Sequence, residues 1–227
     1  MFNHEKVGAV IVAAGNSTRM RGVDKMFALL DGKPVLARVV SVFESAPSVD
    51  CIALVLNEHN LEHGRLLSIA EHWQRVVALV PGGATRQDSV CAGLACLPGC
   101  SWLIVHDGAR PLVTVDLIEA GLMAAEATGG AIAAVAVTDT IKEERDGFIA
   151  RTPPRAILRA AQTPQVFRAD ILNEAYAHFT GTVTDDASLV EALGHPIKIY
   201  PGDPQNIKIT TATDLTYAEI LWRKRGD

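Results

Sequence analysis

Three segments of this chain set glycine beside arginine directly after an apolar run. They are Ala14-Gly15-Asn16-Ser17-Thr18-Arg19-Met20, Pro81-Gly82-Gly83-Ala84-Thr85-Arg86 and His106-Asp107-Gly108-Ala109-Arg110-Pro111. A glycine loop leaves backbone N–H groups open to phosphate oxygens with no side chain in the way. Cations on the same loops add charge-assisted bonds, which are the strong ones. Arg19 and Lys25 follow the first loop closely enough to serve one triphosphate together. The loop matches neither G-x-x-x-x-G-K-[ST] nor G-x-G-x-x-G, so P-loop hydrolysis and dinucleotide-dependent hydride transfer lose support. Asp107 is a hard oxygen ligand of the kind Mg2+ takes together with phosphate oxygens. The competing reading of Asp107 is a plain turn or capping residue.

Histidine offers less. His59 and His63 are spaced i, i+4 on a predicted helix, but no third ligand stands near them in the sequence. His106 reads as a structural residue more than as a catalytic base.

These loops need a scaffold that brings strand ends together. Apolar runs at Val7 to Ala13, Cys51 to Leu56, Val76 to Val80, Trp102 to Val105 and Ala131 to Val137 read as strands covered on both faces. Amphipathic segments at Pro34 to Glu44, Leu61 to His72, Gln87 to Leu97 and Val115 to Ala127 read as the helices between them. This alternation predicts a doubly wound, mostly parallel, Rossmann-like α/β sheet, whose ligands sit outside the carboxyl ends of the strands. The stretch from Asp139 to Gln165 breaks the alternation and reads as an arm with a hairpin turn at Arg145-Asp146-Gly147. Beyond it the pattern predicts helices at Ala169 to Phe179, Asp186 to Leu193 and Ala212 to Lys224, and short strands at Ile197 to Tyr200 and Ile207 to Thr210.

A chain of 227 residues suits a single α/β domain spanning 1–227, with the arm at about 139–158. An apolar fraction of 48% with 21% charged residues is ordinary globular usage. A net charge of -5 repels a long polyanion, so nucleic acid is not an expected partner, while a small anion in a locally basic pocket is. No run approaches the ~20 apolar residues of a membrane span, and the apolar run near the N-terminus is too short for a signal segment. Cys51, Cys91, Cys96 and Cys100 form no C-x-x-C pair, and are expected to be reduced, mostly buried thiols of a cytoplasmic protein.

A-A-G-N-S-T-R-M with a lysine shortly after is similar to the signature loop of nucleotidyltransferases acting on small phosphorylated acceptors. The later motifs narrow this: G-G-A-T-R-Q-D-S-V at 82–90, V-H-D-G-A-R-P at 105–111, V-T-D-T-I-K at 137–142, T-P-Q at 163–165, T-D-D-A-S at 184–188 and N-I-K-I-T at 206–210. In that order and spacing they resemble the methylerythritol phosphate cytidylyltransferase family of the non-mevalonate isoprenoid pathway, over about residues 7–220. Val12 and Asp24 stand where that family often has proline, and Ala84 where it often has an acidic residue.

The resemblance implies a sheet of the nucleotide-diphospho-sugar transferase type with a protruding β-arm, and transfer of CMP from CTP to 2-C-methyl-D-erythritol 4-phosphate. It implies that Ala13, Ala14, Gly15, Gly83, Arg86, Ser89, Asp107 and Gly108 surround the nucleotide, with Mg2+ on Asp107. Arg19 and Lys25 would serve the triphosphate. Arg155 and Lys208 would form a separate clamp on the acceptor phosphate, with Thr140, Thr163 and Thr184 beside it and Arg110 orienting the loop or the ribose side. It also implies a homodimer joined through the arm, each Arg155 lying near the partner's site. Another small-molecule nucleotidyltransferase, such as one making a sugar nucleotide or a ribitol-phosphate cytidylyltransferase sharing most of these loops, and a non-catalytic nucleotide-binding regulator that keeps the fold stand as alternatives that pyrophosphate release separates.

Overall fold

Strands apolar on both faces must be covered on both faces, and the chain meets this with a central sheet between helices. The computed structural model describes residues 1–15, 20, 24–179, 181 and 183–225. The expected triphosphate ligand Arg19 lies outside them. In chain order the elements are β1 (Val7–Ala13), β2 (Leu29–Leu30), β3 (Lys33–Pro34), α1 (Val35–Ser45), β4 (Cys51–Leu56), α2 (Leu61–Ala70), β5 (Val76–Pro81), α3 (Arg86–Leu94), β6 (Trp102–Asp107) and α4 (Val115–Ala125). There follow β7 (Gly130–Ala136), β8 (Glu143–Arg145), β9 (Phe148–Arg151), β10 (Arg159–Arg168), α5 (Ala169–His178), α6 (Asp186–Ala192), β11 (Lys198–Pro201) and α7 (Ala212–Arg225).

The central sheet has the order β11-β7-β10-β6-β1-β4-β5. Pairings β1–β4, β1–β6, β4–β5 and β7–β11 are parallel, and only β10 runs antiparallel to its neighbours β6 and β7. The sheet is therefore α/β and mostly parallel, as the alternation predicts. One face packs on α1 and α4 through residues such as Phe43, Val40, Ile118 and Leu122, all fully buried. The other packs on α3, α5 and α6 through Val90, Leu172, Ala175 and Leu189. A smaller cluster of Leu30, Leu112, Ile209 and Leu221 seats α7.

Two expectations are corrected. The irregular stretch expected from Asp139 to Gln165 ends in a real strand: β10 inserts between β6 and β7, exposed over its first residues and buried from Gln162 to Phe167. Its charged start and its proline conceal it, since proline argues against a central strand; the pairing with β7 shifts register between Ala161 and Gln165, which accommodates Pro164. The strand expected at Ile207 to Thr210 does not form. That segment instead lies against the loop after β6, with Ile209 N–H donating to the Ala109 carbonyl at 2.8 Å.

The hairpin forms where the turn signal places it. β8 and β9 pair with each other alone, and Asp146 and Gly147 both take positive φ (53° and 82°), as a two-residue hairpin loop requires. Cys51 and Cys100 are buried, Cys96 is partly covered, and Cys91 is exposed.

Candidate active site

The register of the parallel strands sets their carboxyl ends level. Val12 pairs with Asp107, Ala13 with Leu56, and Leu56 with Pro81. From β1 the chain winds outward through β4 and β5, then returns to place β6 on the other side of β1. Such a reversal opens a crevice at the strand ends. A cavity of about 420 Å³ occupies that end of the sheet, lined by Ala13, Ala14, Gly15, Lys25, Gly82, Gly83, Arg86, Ser89, Asp107 and Lys208 among others.

The loop after β5 is held from both sides. A Cβ on Gly83 would lie 2.2 Å from Cβ of Asp88, so only glycine allows this approach. The Ser89 hydroxyl donates to the Thr85 carbonyl at 2.9 Å and accepts from Gly83 N–H at 3.2 Å. Thr85 then caps α3 reciprocally with Asp88, the Thr85 hydroxyl accepting from Asp88 N–H and the Asp88 carboxylate from Thr85 N–H. Ser89 therefore shapes the loop as well as lining the cavity, and Arg86 follows the cap as the first residue of the helix.

Asp107 is the electrostatic centre. Its carboxylate meets Lys208 Nζ at 2.9 Å, Arg110 Nε at 3.4 Å and Arg86 Nε at 3.5 Å. Burial opposes its charge, but Lys208, Arg86 and Arg110 outweigh burial and hold the carboxyl well below the usual carboxylate range. Burial also opposes the charge on Arg86, yet Asp186 and Asp107 prevail and hold it above its ordinary value. For Arg110 burial wins and lowers the pKa, with Asp107 opposing; a guanidinium stays charged regardless. Arg110 also donates to the Asn206 carbonyl at 2.8 Å, tying the loop after β6 to the segment that carries Lys208.

His106 sits beneath Asp107, fully buried, and burial lowers its pKa to about 3. As a neutral ring it accepts at Nδ1 from the Thr163 hydroxyl (3.0 Å) and donates from Nε2 to the Arg110 carbonyl (3.3 Å). The Thr163 oxygen in turn accepts from Asp107 N–H at 3.0 Å. Thr163 thus supports the Asp107 loop from below, and its hydroxyl is turned to His106 and away from the cavity lining. Gly108 lets β6 pass close to β1: a Cβ there would lie 2.9 Å from Cβ of Ala13 and 3.2 Å from the Val12 carbonyl oxygen.

The remaining candidates fall in other places. Lys25 and Lys208 line the same cavity, and Lys25 Nζ donates to the Ile209 carbonyl at 3.3 Å. Within one chain the structure does not bring Arg155 to Lys208. Arg155 lines a separate hollow with Thr138 and Arg159, donating to the Thr138 carbonyl at 2.6 Å. Thr140 and Thr184 are exposed. His59 lines the cavity while His63 stacks on Phe27, so the two do not act as a pair. Among the described residues no three His, Cys, Asp or Glu side chains cluster to hold a metal ion. Three groups missing from the sequence reading matter here: Asp186, Tyr176 and Asn206. The T-D-D-A-S motif contained the signal, an acidic residue opening an otherwise apolar helix face, but only packing shows which of its two aspartates turns inward.

Level strand ends, glycine loops and lysines and arginines gathered at one cavity define a small-molecule nucleotidyltransferase of the α/β type. The family described as 2-C-methyl-D-erythritol 4-phosphate cytidylyltransferase matches residues 7–224. The protein of that description from Dehalococcoides mccartyi (strain CBDB1) is 55% identical over 225 residues, covering 99% of each chain. That from Alkaliphilus oremlandii (strain OhILAs) is 43% identical over 234 residues, covering 100% of this chain and 99% of the other. The solved structure of 4-diphosphocytidyl-2C-methyl-D-erythritol synthase from Anaerococcus prevotii DSM 20548 superposes with a TM-score of 0.84 at 27% identity, covering 96% of this chain and 99% of that one. The 2-C-methyl-D-erythritol 4-phosphate cytidylyltransferase of Thermus thermophilus gives 0.77 at 32% identity, with coverage of 96% and 99%. The chain belongs to the 2-C-methyl-D-erythritol 4-phosphate cytidylyltransferase family, and it is an enzyme of the nucleotidyltransferase class.

Proposed function

We propose that this chain transfers CMP from CTP to 2-C-methyl-D-erythritol 4-phosphate, releasing pyrophosphate. The observation that carries the reading is the gathering of Lys25, Arg86 and Lys208 around one cavity with Asp107 at its centre. An acceptor phosphate monoester has its second pKa near ~6, so it is largely dianionic at neutral pH and needs no base. A buried His106 with its pKa lowered to about 3 fits that requirement, because the reaction asks no general base of it. The acceptor oxygen attacks the α-phosphorus of CTP as the bond to pyrophosphate breaks; the protein's part is alignment and stabilisation of negative charge.

The nucleotide lies along Ala13 to Gly15, Gly82 and Gly83, with Lys25 and Lys208 toward its phosphates and Arg19 expected beside them. Lys208 would swing from Asp107 to a phosphate oxygen on its long, 40% exposed side chain, with the metal ion taking its place at the carboxylate. That leaves the ionised Asp107 able to hold Mg2+ as the protein ligand, the other ligands being phosphate oxygens and water, which is how Mg2+ is commonly bound. The ion would supply charge neutralisation at the transferring phosphoryl group. Arg155 serves the acceptor phosphate across a homodimer contact made by the arm, with Thr140 and Thr184 on the acceptor side. Free cysteines accord with work in the cytoplasm.

The test is pyrophosphate release from each of four nucleoside triphosphates with methylerythritol phosphate or ribitol phosphate and Mg2+. Release confined to CTP with methylerythritol phosphate supports the reading. Preference for ribitol phosphate would move the acceptor assignment, and no release with any pair would point to a binding protein.

A further inference from the structure

Asp186 is a carboxylate with 0% exposure that the chemistry above leaves unused. It opens α6, and both its oxygens are taken: Arg86 Nη2 donates to Oδ2 at 2.7 Å and the Tyr176 hydroxyl to Oδ1 at 2.5 Å. A buried charge persists only with partners of this quality. Arg86 also faces Asp107, but at 3.5 Å, and Asp107 has Lys208 closer, at 2.9 Å. The distances therefore say which carboxylate fixes the guanidinium. Arg86 is anchored from behind by Asp186 and only leans on Asp107. Without that anchor, a planar guanidinium beside a carboxylate would settle into a two-bond pair with it, and Asp107 would be blocked.

We propose that Asp186, oriented by Tyr176, is a positioning residue that holds Arg86 in the nucleotide pocket and keeps it from closing onto Asp107. The inference rests on the reading of this cavity as the CTP site. Of the residues described as lining the cavity, Arg86 is the one to which the Asp186 carboxylate hydrogen-bonds, and we assign its influence to that side chain.

The test is a double-mutant cycle on CTP binding, read by calorimetry with Mg2+, in wild type, Asp186→Asn, Arg86→Ala and the double variant. Asp186→Asn should weaken CTP by about tenfold, Arg86→Ala by at least as much, and the double variant should be no weaker than Arg86→Ala alone, the signature of residues acting as a unit. The KM for the acceptor should stay within about threefold of wild type in Asp186→Asn. Tyr176→Phe repeats the cycle without disturbing the buried charge, should Asp186→Asn fail to fold; its smaller loss, about threefold, should likewise vanish in the Arg86→Ala background. Loss of the same size in both backgrounds would make Asp186 a general support and overturn the proposal. Wild-type CTP binding by Asp186→Asn with Arg86→Ala impaired would overturn the proposal alone, whereas wild-type binding by Arg86→Ala would overturn the nucleotide-site reading with it.

Discussion

The pocket and the arm use charged and apolar residues in opposite ways. At the pocket each functional group stands on a buried one: Arg86 on Asp186, Asp107 N–H on Thr163, and Thr163 on His106. In the arm, every residue of β8 and β9 is exposed, Phe148 by 78% and Ile149 by 65%. The pocket is finished by its own chain, because groups that must hold position against a charged ligand need packed supports. The arm is held by its turn, by the β8–β9 ladder and by exposed side-chain contacts such as the ion pair of Arg151 with Glu143 at 2.8 Å. Apolar side chains so placed gain nothing in water and call for a second surface.

The contrast breaks if pocket lysines prove dispensable. Lys25→Ala and Lys208→Ala should each lower turnover by about a hundredfold or more, the scale of losing one preorganised donor, with unfolding midpoints close to wild type. Near-normal steady-state rates in both variants would leave the cavity without its assigned chemistry.

A smaller effect tests the arm. Arg155→Ala should raise the KM for methylerythritol phosphate by about tenfold while leaving CTP binding within about twofold. Phe148→Asp should shift the protein toward monomer in sedimentation and reproduce that acceptor defect, because exposed apolar groups on an arm are where a second copy would bind. A monomer with full activity would sink this assignment.

Acid should reach the pocket from beneath. The His106 pKa is about 3 in the fold against 6.5 ordinarily, so between these values the unfolded chain binds a proton that the native ring does not. Stability from this group is complete above pH 6.5 and falls as pH drops toward 3, by about 1.4 kcal/mol per unit. Asp107, held low, adds its own loss only below its unfolded value near 3.8. Urea titrations at pH 7 and pH 5 should therefore differ, and His106→Gln should flatten the difference. An unchanged slope in that variant would assign the acid sensitivity elsewhere.

The smallest effect calibrates the rest. Arg65 and Glu62 pair at 3.3 Å on the solvent face of α2, both largely exposed, and Arg65→Ala should change stability by less than about 0.5 kcal/mol in the same titration.

The elements most legible in the sequence were those whose neighbours do not matter. The runs Val7–Ala13, Cys51–Leu56 and 102–105 are apolar on both faces, and the Asp146-Gly147 turn needs only positive φ, so local residue type specifies them. The strand at Arg159–Arg168 was hidden because its first residues are exposed and the rest is buried by a slot between two other strands that local pattern cannot display. Ile207 to Thr210 misled in the reverse direction: Ile209 is buried and Ile207 partly buried against a loop and α7, not in a sheet.

By itself the sequence determined the alternating α/β scaffold, the glycine loops and the kind of chemistry their cations serve, since each depends on residue type and short-range spacing. Only the tertiary structure decided how the cations are shared out. Lys208 lies far beyond Asp107 in the chain and yet bonds to it, Asp186 lies 100 positions after Arg86 and anchors it, and Arg155 is left in a different hollow. Which charge meets which is fixed by strand order and loop packing, and long-range pairing of that kind leaves no periodic trace in the residues that take part.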